Sequence, residues 1–392
     1  MVTITTAGNV LKTVYEKLLG DQLNIEATPL AQKIAMTERN IVGGAKVVKA
    51  APYGVNGGTG SFSESGSLPI AGGNYHVNFE STLKNIGGVI HISDKGMKSS
   101  LSDKAAFVNL LTSETEGLKK GARLTYARQF YLDGTGVLTA CGVTADSATV
   151  NVASAQYLIE GMIVDIVTTA TGEHVTNGTA RRILAVNRGE SPSIVLAGTA
   201  KVTTAATNSI VEQGSFGNEM TGLKAVFAQT GNIYGLSKSD YPWLKPYVNS
   251  NAGALSDKLI IDAIIDRENM TGCKIDMLMV HPLVFTDYYD YIESTKKNVN
   301  TLDLKGGFQA LSVSGRPMAQ DRFMPAATMY LLDTSELKVH QLADWEFMDR
   351  DGAVLKWDSG YAGYKAVLVK YCEMICDKPG AQAELSGITS AT

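Results

Sequence analysis

Cysteine is scarce, with four in 392 residues: Cys141, Cys273, Cys372 and Cys376. So few, so scattered, they make no disulfide framework, and a reducing cytosol is the expected setting. Ten prolines stand against 39 glycines, a balance that favours turns and extended loops over stiff linkers. No apolar run reaches the roughly 18 residues a membrane helix needs, so no membrane span is expected. The opening "MVTITTAGNVLKTVYEKLL" lacks a basic stretch followed by an apolar one, so it does not read as a signal peptide. Excess positive charge is also missing: the net charge is -4 and the pI about 5.8. Tight, sequence-specific DNA binding needs clustered Lys and Arg, and no basic stripe is visible.

Catalytic signatures are equally sparse. The five histidines are His76, His91, His174, His281 and His340, and none has metal-ligand spacing. His91 lies in the strand-like "VIHIS", and His281 precedes a helix-opening proline, so both read as structural. Cys372 and Cys376, four apart, fall on one face of a strand. A zinc site would need two more ligands, so both read as small buried apolar side chains. "NGGTGS" (Asn56 to Ser61) has glycines but no GK[ST] ending and no following helix. No GxSxG elbow occurs, and the carboxylates are dispersed. The sequons at Asn177 and Asn269 are chance matches without a secretory route. "DYYDYIES" (Asp287 to Ser294) reads as packing and subunit contact, and "DYPWLKPYV" (Asp240 to Val248) as a proline-bracketed aromatic turn that fixes a domain surface. No catalytic residue, cofactor site or metal ligand is assigned.

What is present is an ordinary globular composition, 44% hydrophobic and 19% charged, in a chain long enough for several domains. Leu11, Val14, Tyr15, Leu18 and Leu19 make one apolar helix face within residues 9–36, with Gly20 as its stop. Residues 45–93 hold two strand-like arms around a Gly/Ser-rich middle that cannot bury itself. A long, mobile projecting hairpin is expected. Ser102 or Asp103 caps a helix from Lys104 to Leu132, roughly 40 Å long. From Val137 to Gln213, short alternating runs separated by turns predict a small inserted antiparallel β unit. An α/β body then resumes. Ser256 caps a helix burying Leu259, Ile260, Ala263 and Ile264. "KIDMLMV" is a buried strand, and Pro282 opens the next helix. "GRPMAQDRFMPAATMYLLDTSELKVH" reads as a strand pair around a proline-marked turn. The chain closes with strands broken at Lys378-Pro379-Gly380.

This order of parts, with "MLMVHPLVFTDYYDYI" and "LSVSGRPMAQDRFMPAATMYLLDTSELKV", resembles the major capsid protein of tailed double-stranded DNA bacteriophages, the Hong Kong 97-type fold. The resemblance covers most of the chain apart from residues 137–213. It implies an α+β subunit divided into an N-terminal arm (1–44), an extended loop (45–93), the spine helix with part of the peripheral domain (94–136), a small all-β insertion (137–213), an axial domain (214–338) and returning peripheral strands (339–392). It further implies hexamers and pentamers in an icosahedral shell around non-specifically held double-stranded DNA. Scaffold, portal and decoration proteins are the implied further partners. The implied place is the virion, assembled in the host cytoplasm, with no membrane and no cofactor. Loop residues Tyr53, Gly57, Gly58, Gly60, Phe62, Leu68 and Pro69 are candidates for contact with a neighbour. Gly315, Arg316, Pro317, Asp321 and Pro325 are candidates for a rigid turn of the axial domain. An encapsulin-like nanocompartment shell and a non-capsid enzyme with a β appendage are the competing readings.

Overall fold

The computed structural model describes residues 28–37, 41–42, 44–95, 104–295, 301–303, 309–349, 354–358 and 360–389. The helix expected around Leu11 to Gly20 and the cap at Ser102 or Asp103 lie outside them. Where the arm becomes described it is not helical. Residues 28–34 are turns and Ala35–Thr37 is a strand, paired in parallel with Leu337–Phe347. Leu30, Ala31 and Ile34 are buried in the main core. That burial explains the apolar residues at this end of the expected helix.

Two mixed layers carry the subunit. In the first, Gly363–Cys376 lies between Leu337–Phe347 and Lys84–Ser93, antiparallel to both. The spine helix, Lys104–Gln129, packs against Lys84–Ser93. Contact is close enough that a Cβ on Gly88 would meet Leu118 Cδ1 at 2.3 Å, so any larger residue would have to displace the Leu118 side chain. In the second layer, seven strands run Tyr247–Asn249, Ala383–Ser386, Thr328–Leu332, Met277–Val280, Arg316–Gln320, Gln309–Val313 and Thr301–Asp303. Met277–Val280 is buried at every position, as a strand covered on both faces requires. The helices Asp257–Thr271 and Pro282–Thr295 share that sheet's core. Ser256 caps the first, its side chain accepting from Leu259 N–H. Leu259 itself is only partly buried, while Ile260, Ala263 and Ile264 are buried.

The spine helix stops at Gln129, short of the expected Leu132. The reason is the chain returning beneath it: Leu223 N–H donates to Phe130 C=O at 2.8 Å. A Cβ on Gly222 would come within 2.3 Å of the carbonyl oxygens of Gln129 and Leu132. The closing strands also differ from expectation. Ala383–Ser386 joins the seven-stranded sheet between Tyr247–Asn249 and Thr328–Leu332, rather than returning with Gly363–Cys376. The short helix Pro379–Ala381 turns the chain across.

Residues 137–213 contain strands only. Six make one sheet, in the order Val137–Ala140, Asn208–Glu212, Ile163–Thr168, Arg181–Asn187, Ser193–Leu196 and Thr149–Asn151. Their buried residues, among them Val150, Val164, Ile166, Ile183, Ile194 and Ile210, form a core cluster separate from the other two. A separate core predicts autonomous folding. Residues 137–213 expressed alone should give a β-type circular dichroism spectrum and a cooperative melt. A coil spectrum would count against autonomy.

Candidate functional site

The hairpin is built by Lys46–Tyr53 and Tyr75–Thr82, in register from Lys46↔Thr82 to Tyr53↔Tyr75. Beyond that ribbon lies a tip, residues 54–74, whose apolar side chains nothing in the subunit covers. Val55 is 86% exposed, Phe62 59%, Leu68 71% and Ile70 90%. Gly57 and Gly60 are exposed, while Gly58 and Pro69 are partly covered. Gly58 lies so close to Gly72 that a Cβ would meet its nitrogen at 2.7 Å.

Its root, in contrast, is anchored. Phe79 is fully buried. Tyr53, expected among the contacts to a neighbour, stacks on Trp243 of its own subunit at 5.9 Å and 7°. Glu80 N–H donates to Tyr234 C=O at 2.9 Å. Lys49 pairs with Asp377, which also accepts from Lys338 at 2.8 Å. The proline-bracketed aromatic stretch at 240–248 therefore serves as the wall against which the hairpin is set.

In the axial sheet, the tight turn is made by Ser314 and Gly315, with φ of 50° and 79°. Both lie in the left-handed region, which glycine enters most easily. Arg316 and Pro317 are not the turn but the start of the strand after it. Arg316 reaches out to Ile275 C=O at 2.8 Å and Glu268 at 2.7 Å, tying that strand to the end of a helix. Asp321 is buried. Its carboxylate accepts from Tyr131 O–H at 3.0 Å and Phe323 N–H at 2.9 Å, linking the axial sheet to the turn that follows the spine helix. Pro325 is partly buried in the same loop.

Two buried carboxylates flank the segment that runs beneath the spine helix. Glu219 pairs with Arg128 of the helix, which also pairs with Glu212 at 3.1 Å. Glu373 accepts from Thr221 N–H at 3.2 Å and from the hairpin's Ser81 at 3.1 Å. Burial pushes the carboxyls of Glu219 and Glu373 each up to about 7, and that of Asp321 to about 6.

The chemistry-bearing residues stay apart or are already engaged. His281 Nδ1 accepts from Leu283 N–H at 3.3 Å, and burial lowers its pKa. Cys372 and Cys376 are buried in one strand, and burial pushes the Cys372 thiol up to about 12 and the Cys376 thiol higher still. One grouping was not legible in the sequence: Cys273, Asp333 and Glu336 bring ligand atoms within 4.8 Å of one another. Residues 60 apart come together there because the sheet aligns the ends of two segments. Lys378 Nζ stands at 3.1 Å from Glu336 and 3.6 Å from Cys273 Sγ. Asp333 caps the turn at Thr334–Glu336. The cation of this grouping is thus the chain's own ammonium.

Projecting hairpin, spine helix and axial sheet together define the Hong Kong 97-type shell fold. The chain superposes over 94% of its length, and 93% of the other's, on a chain of the cyanophage A-1(L) capsid asymmetric unit, with a TM-score of 0.54 and 12% identity. Lower scores relate it to the SrpI encapsulin of Synechococcus elongatus PCC 7942 (0.46, 8% identity, 93% and 90% covered). A chain from Mycobacterium phage Adephagia gives 0.46, 9% identity, 93% and 91% covered. No protein-family model and no curated protein sequence matches the chain.

The buried carboxylates set a pH dependence. With carboxyls raised above the ordinary range, the folded chain binds more protons than the unfolded one between about pH 4.5 and 7. Their contribution to stability is therefore full below that window and lost as pH rises through it. Glu373→Gln keeps an acceptor for Ser81 and Thr221 but cannot ionise. Relative to this variant, the parent chain should lose stability, on the order of a few kcal/mol, between about pH 4.5 and 7. Denaturant melts of both chains check it, and a pH-independent difference would contradict it.

Proposed function

We propose that this chain is the repeating subunit of a closed icosahedral shell, the major capsid protein of a tailed bacteriophage, assembled from hexamers and pentamers around double-stranded DNA. The observation that carries this reading is the hairpin: its root is fixed by Phe79, the Tyr53–Trp243 stack and the Lys49–Asp377 pair, while its tip exposes Val55, Phe62, Leu68 and Ile70. A rigidly aimed arm with an uncovered apolar end is suited to a neighbouring copy of the same chain. The shell fold supports the same reading. In it, identical subunits close rings through repeated heterologous contacts. The role is structural, and the work of the chain is assembly. Its place is the virion, with scaffold, portal and decoration proteins as further partners.

Removing Gly54–Gly73 leaves the anchored root and both sheets intact. The shortened chain should stay soluble and folded by circular dichroism but give no closed particles by negative-stain microscopy. Normal particles from it would refute the assembly role of the tip.

A further inference from the structure

The chain contains two Asn-Gly steps, Asn56-Gly57 and Asn177-Gly178, and the structure holds them in opposite states. Such a step carries its own chemistry. Glycine puts no side chain over the backbone nitrogen that follows the asparagine, and its main chain bends freely towards the side-chain amide. The outcome depends on whether that nitrogen and that amide are held or free. At Asn177-Gly178 they are held. Gly178 N–H donates to Val175 C=O at 2.8 Å, and the Asn177 side-chain NH₂ donates to Lys201 C=O at 3.0 Å. Asn177 C=O accepts from Arg181 at 2.8 Å. Gly178 is buried against Ile166, whose Cβ lies 3.0 Å from where a Cβ on Gly178 would stand.

Asn56-Gly57 lies in the hairpin tip, and both residues are exposed. Gly57 N–H makes no hydrogen bond among the described residues, and nothing lies within 4 Å of where its Cβ would be. The Asn56 side-chain nitrogen likewise donates to no described residue. Only the side-chain oxygen is engaged: Oδ1 accepts from Gly58 N–H at 2.9 Å. That bond swings the amide forward over Gly57. Asn56 Oδ1 and the Gly57 nitrogen each lie 2.7 Å from where a Cβ on Gly72 would be, so the two groups meet at one point of the tip. Gly58 N–H also stands where negative charge would develop on Oδ1 if the amide carbon were attacked.

We infer that Asn56 is a self-modification site, at which the free hairpin tip converts its own amide to an acid. The Gly57 nitrogen attacks Asn56 Cγ. The N–Cγ bond forms, the Cγ–Nδ2 bond breaks, and ammonia leaves with the proton that the Gly57 nitrogen gives up. Water then opens the resulting cyclic imide. Opening at Cγ restores the main chain with aspartate in place of asparagine. Opening at the backbone carbonyl routes the main chain through Cγ, an isoaspartyl link. In net terms the chain takes up one water and releases one ammonia, and no oxidant or metal takes part.

The product changes the tip in two ways. Residues 54–74 carry a single charged side chain, Glu64, and the modification adds a second negative charge next to Val55. A carboxylate taken out of water costs more than the amide it replaces. The isoaspartyl link also lengthens the main chain by one carbon, beside the point where Gly58 packs on Gly72. Under the shell reading, on which this consequence alone rests, a subunit left unassembled loses its ability to dock, and a docked tip, closed off from water, is spared.

The test incubates the unassembled full-length chain in warm, mildly alkaline buffer. Its proteolytic peptides are followed by mass spectrometry, with fragmentation that separates aspartyl from isoaspartyl products. The peptide bearing Asn56 should convert to both products with loss of ammonia, while the peptide bearing Asn177 stays intact. Gly57→Ala, made where a Cβ meets open space, should suppress the conversion with Asn56 still present. No conversion at Asn56, or equal conversion at Asn177, would overturn the inference. Fresh and aged chains are then scored for particles by negative-stain microscopy. Fewer particles from the aged parent, but not from the equally aged Gly57→Ala variant, supports the effect on docking. Equal yields from fresh and aged parent refute that effect and leave the modification standing. Absence of particles from the fresh parent counts against the shell reading, and the peptide masses still decide the modification.

Discussion

The contact on which the rest of the subunit depends is the ion pair of Arg128 with Glu219, beneath the end of the spine helix. Arg128 is nearly the last residue of the helix, and Glu219 opens the segment that returns from residues 137–213. Both are buried. A buried pair of this kind is weak support for stability in itself, but removing one member strands the other at a cost of several kcal/mol. Its consequence is geometric. With Glu219 fixed, Met220 N–H meets the Gln129 side chain, Thr221 N–H meets Glu373, and Leu223 N–H meets Phe130 C=O. A single short segment thereby meets the Gln129 side chain and the Phe130 carbonyl at the helix end and the buried carboxylate of the central strand. Through Ser81 and Glu373 it also reaches the hairpin root. Gly222 is required at its centre, because any side chain would collide with the carbonyls of Gln129, Phe130 and Leu132 at and just past the helix end.

Element types were legible in the sequence wherever one local rule decided them. Ser256 before Asp257–Thr271, Pro282 opening the next helix, the run Met277–Val280 and the glycine stretch between two alternating arms all produced the expected elements. What sequence could not place was what depends on residues far away. Tyr53 looks like part of an exposed loop until Trp243, nearly two hundred residues later, stacks on it. Ala383–Ser386 looks like a continuation of the preceding strand until Pro379–Ala381 turns it into the other sheet. Arg316-Pro317 draws the eye as the turn, yet proline is compatible with an alternating strand position. The left-handed pair Ser314-Gly315 does the turning. The fold was therefore read from element order, and the anchoring of the candidate contact residues was not.

The hairpin joins two requirements that usually conflict. Under the proposed shell reading, an arm that is to reach a neighbour must be aimed, and its tip must not pair indiscriminately before it arrives. Aim comes from the root, where aromatic stacking adds about 0.5–1.5 kcal/mol per pair beyond the burial itself. At this root Tyr53 meets Tyr75, Tyr241 and Trp243. Restraint against indiscriminate pairing comes from spacing. Glycine- and serine-rich stretches separate Val55, Phe62 and Leu68, and Pro69 interrupts Leu68 and Ile70, so they make no proline-free run of the kind that pairs edge to edge.

That spacing also fixes how strong one docked tip can be. Burying four such side chains gives at most about 6–12 kcal/mol, at roughly 1.5–3 kcal/mol each. Ordering about 20 residues from a free coil would cost about 20–40 kcal/mol, at roughly 1–2 kcal/mol each. Apolar burial alone could not order a fully free tip. Part of that order already exists in the subunit. Gly66 N–H closes a turn on Ser63 C=O at 2.9 Å, Gly58 N–H donates to the Asn56 side chain at 2.9 Å, and Gly58 meets Gly72 across the tip. Pre-formed turns lower the cost that docking has to meet. Under the proposed shell reading, each docked tip then contributes little, and closure depends on many such contacts made together.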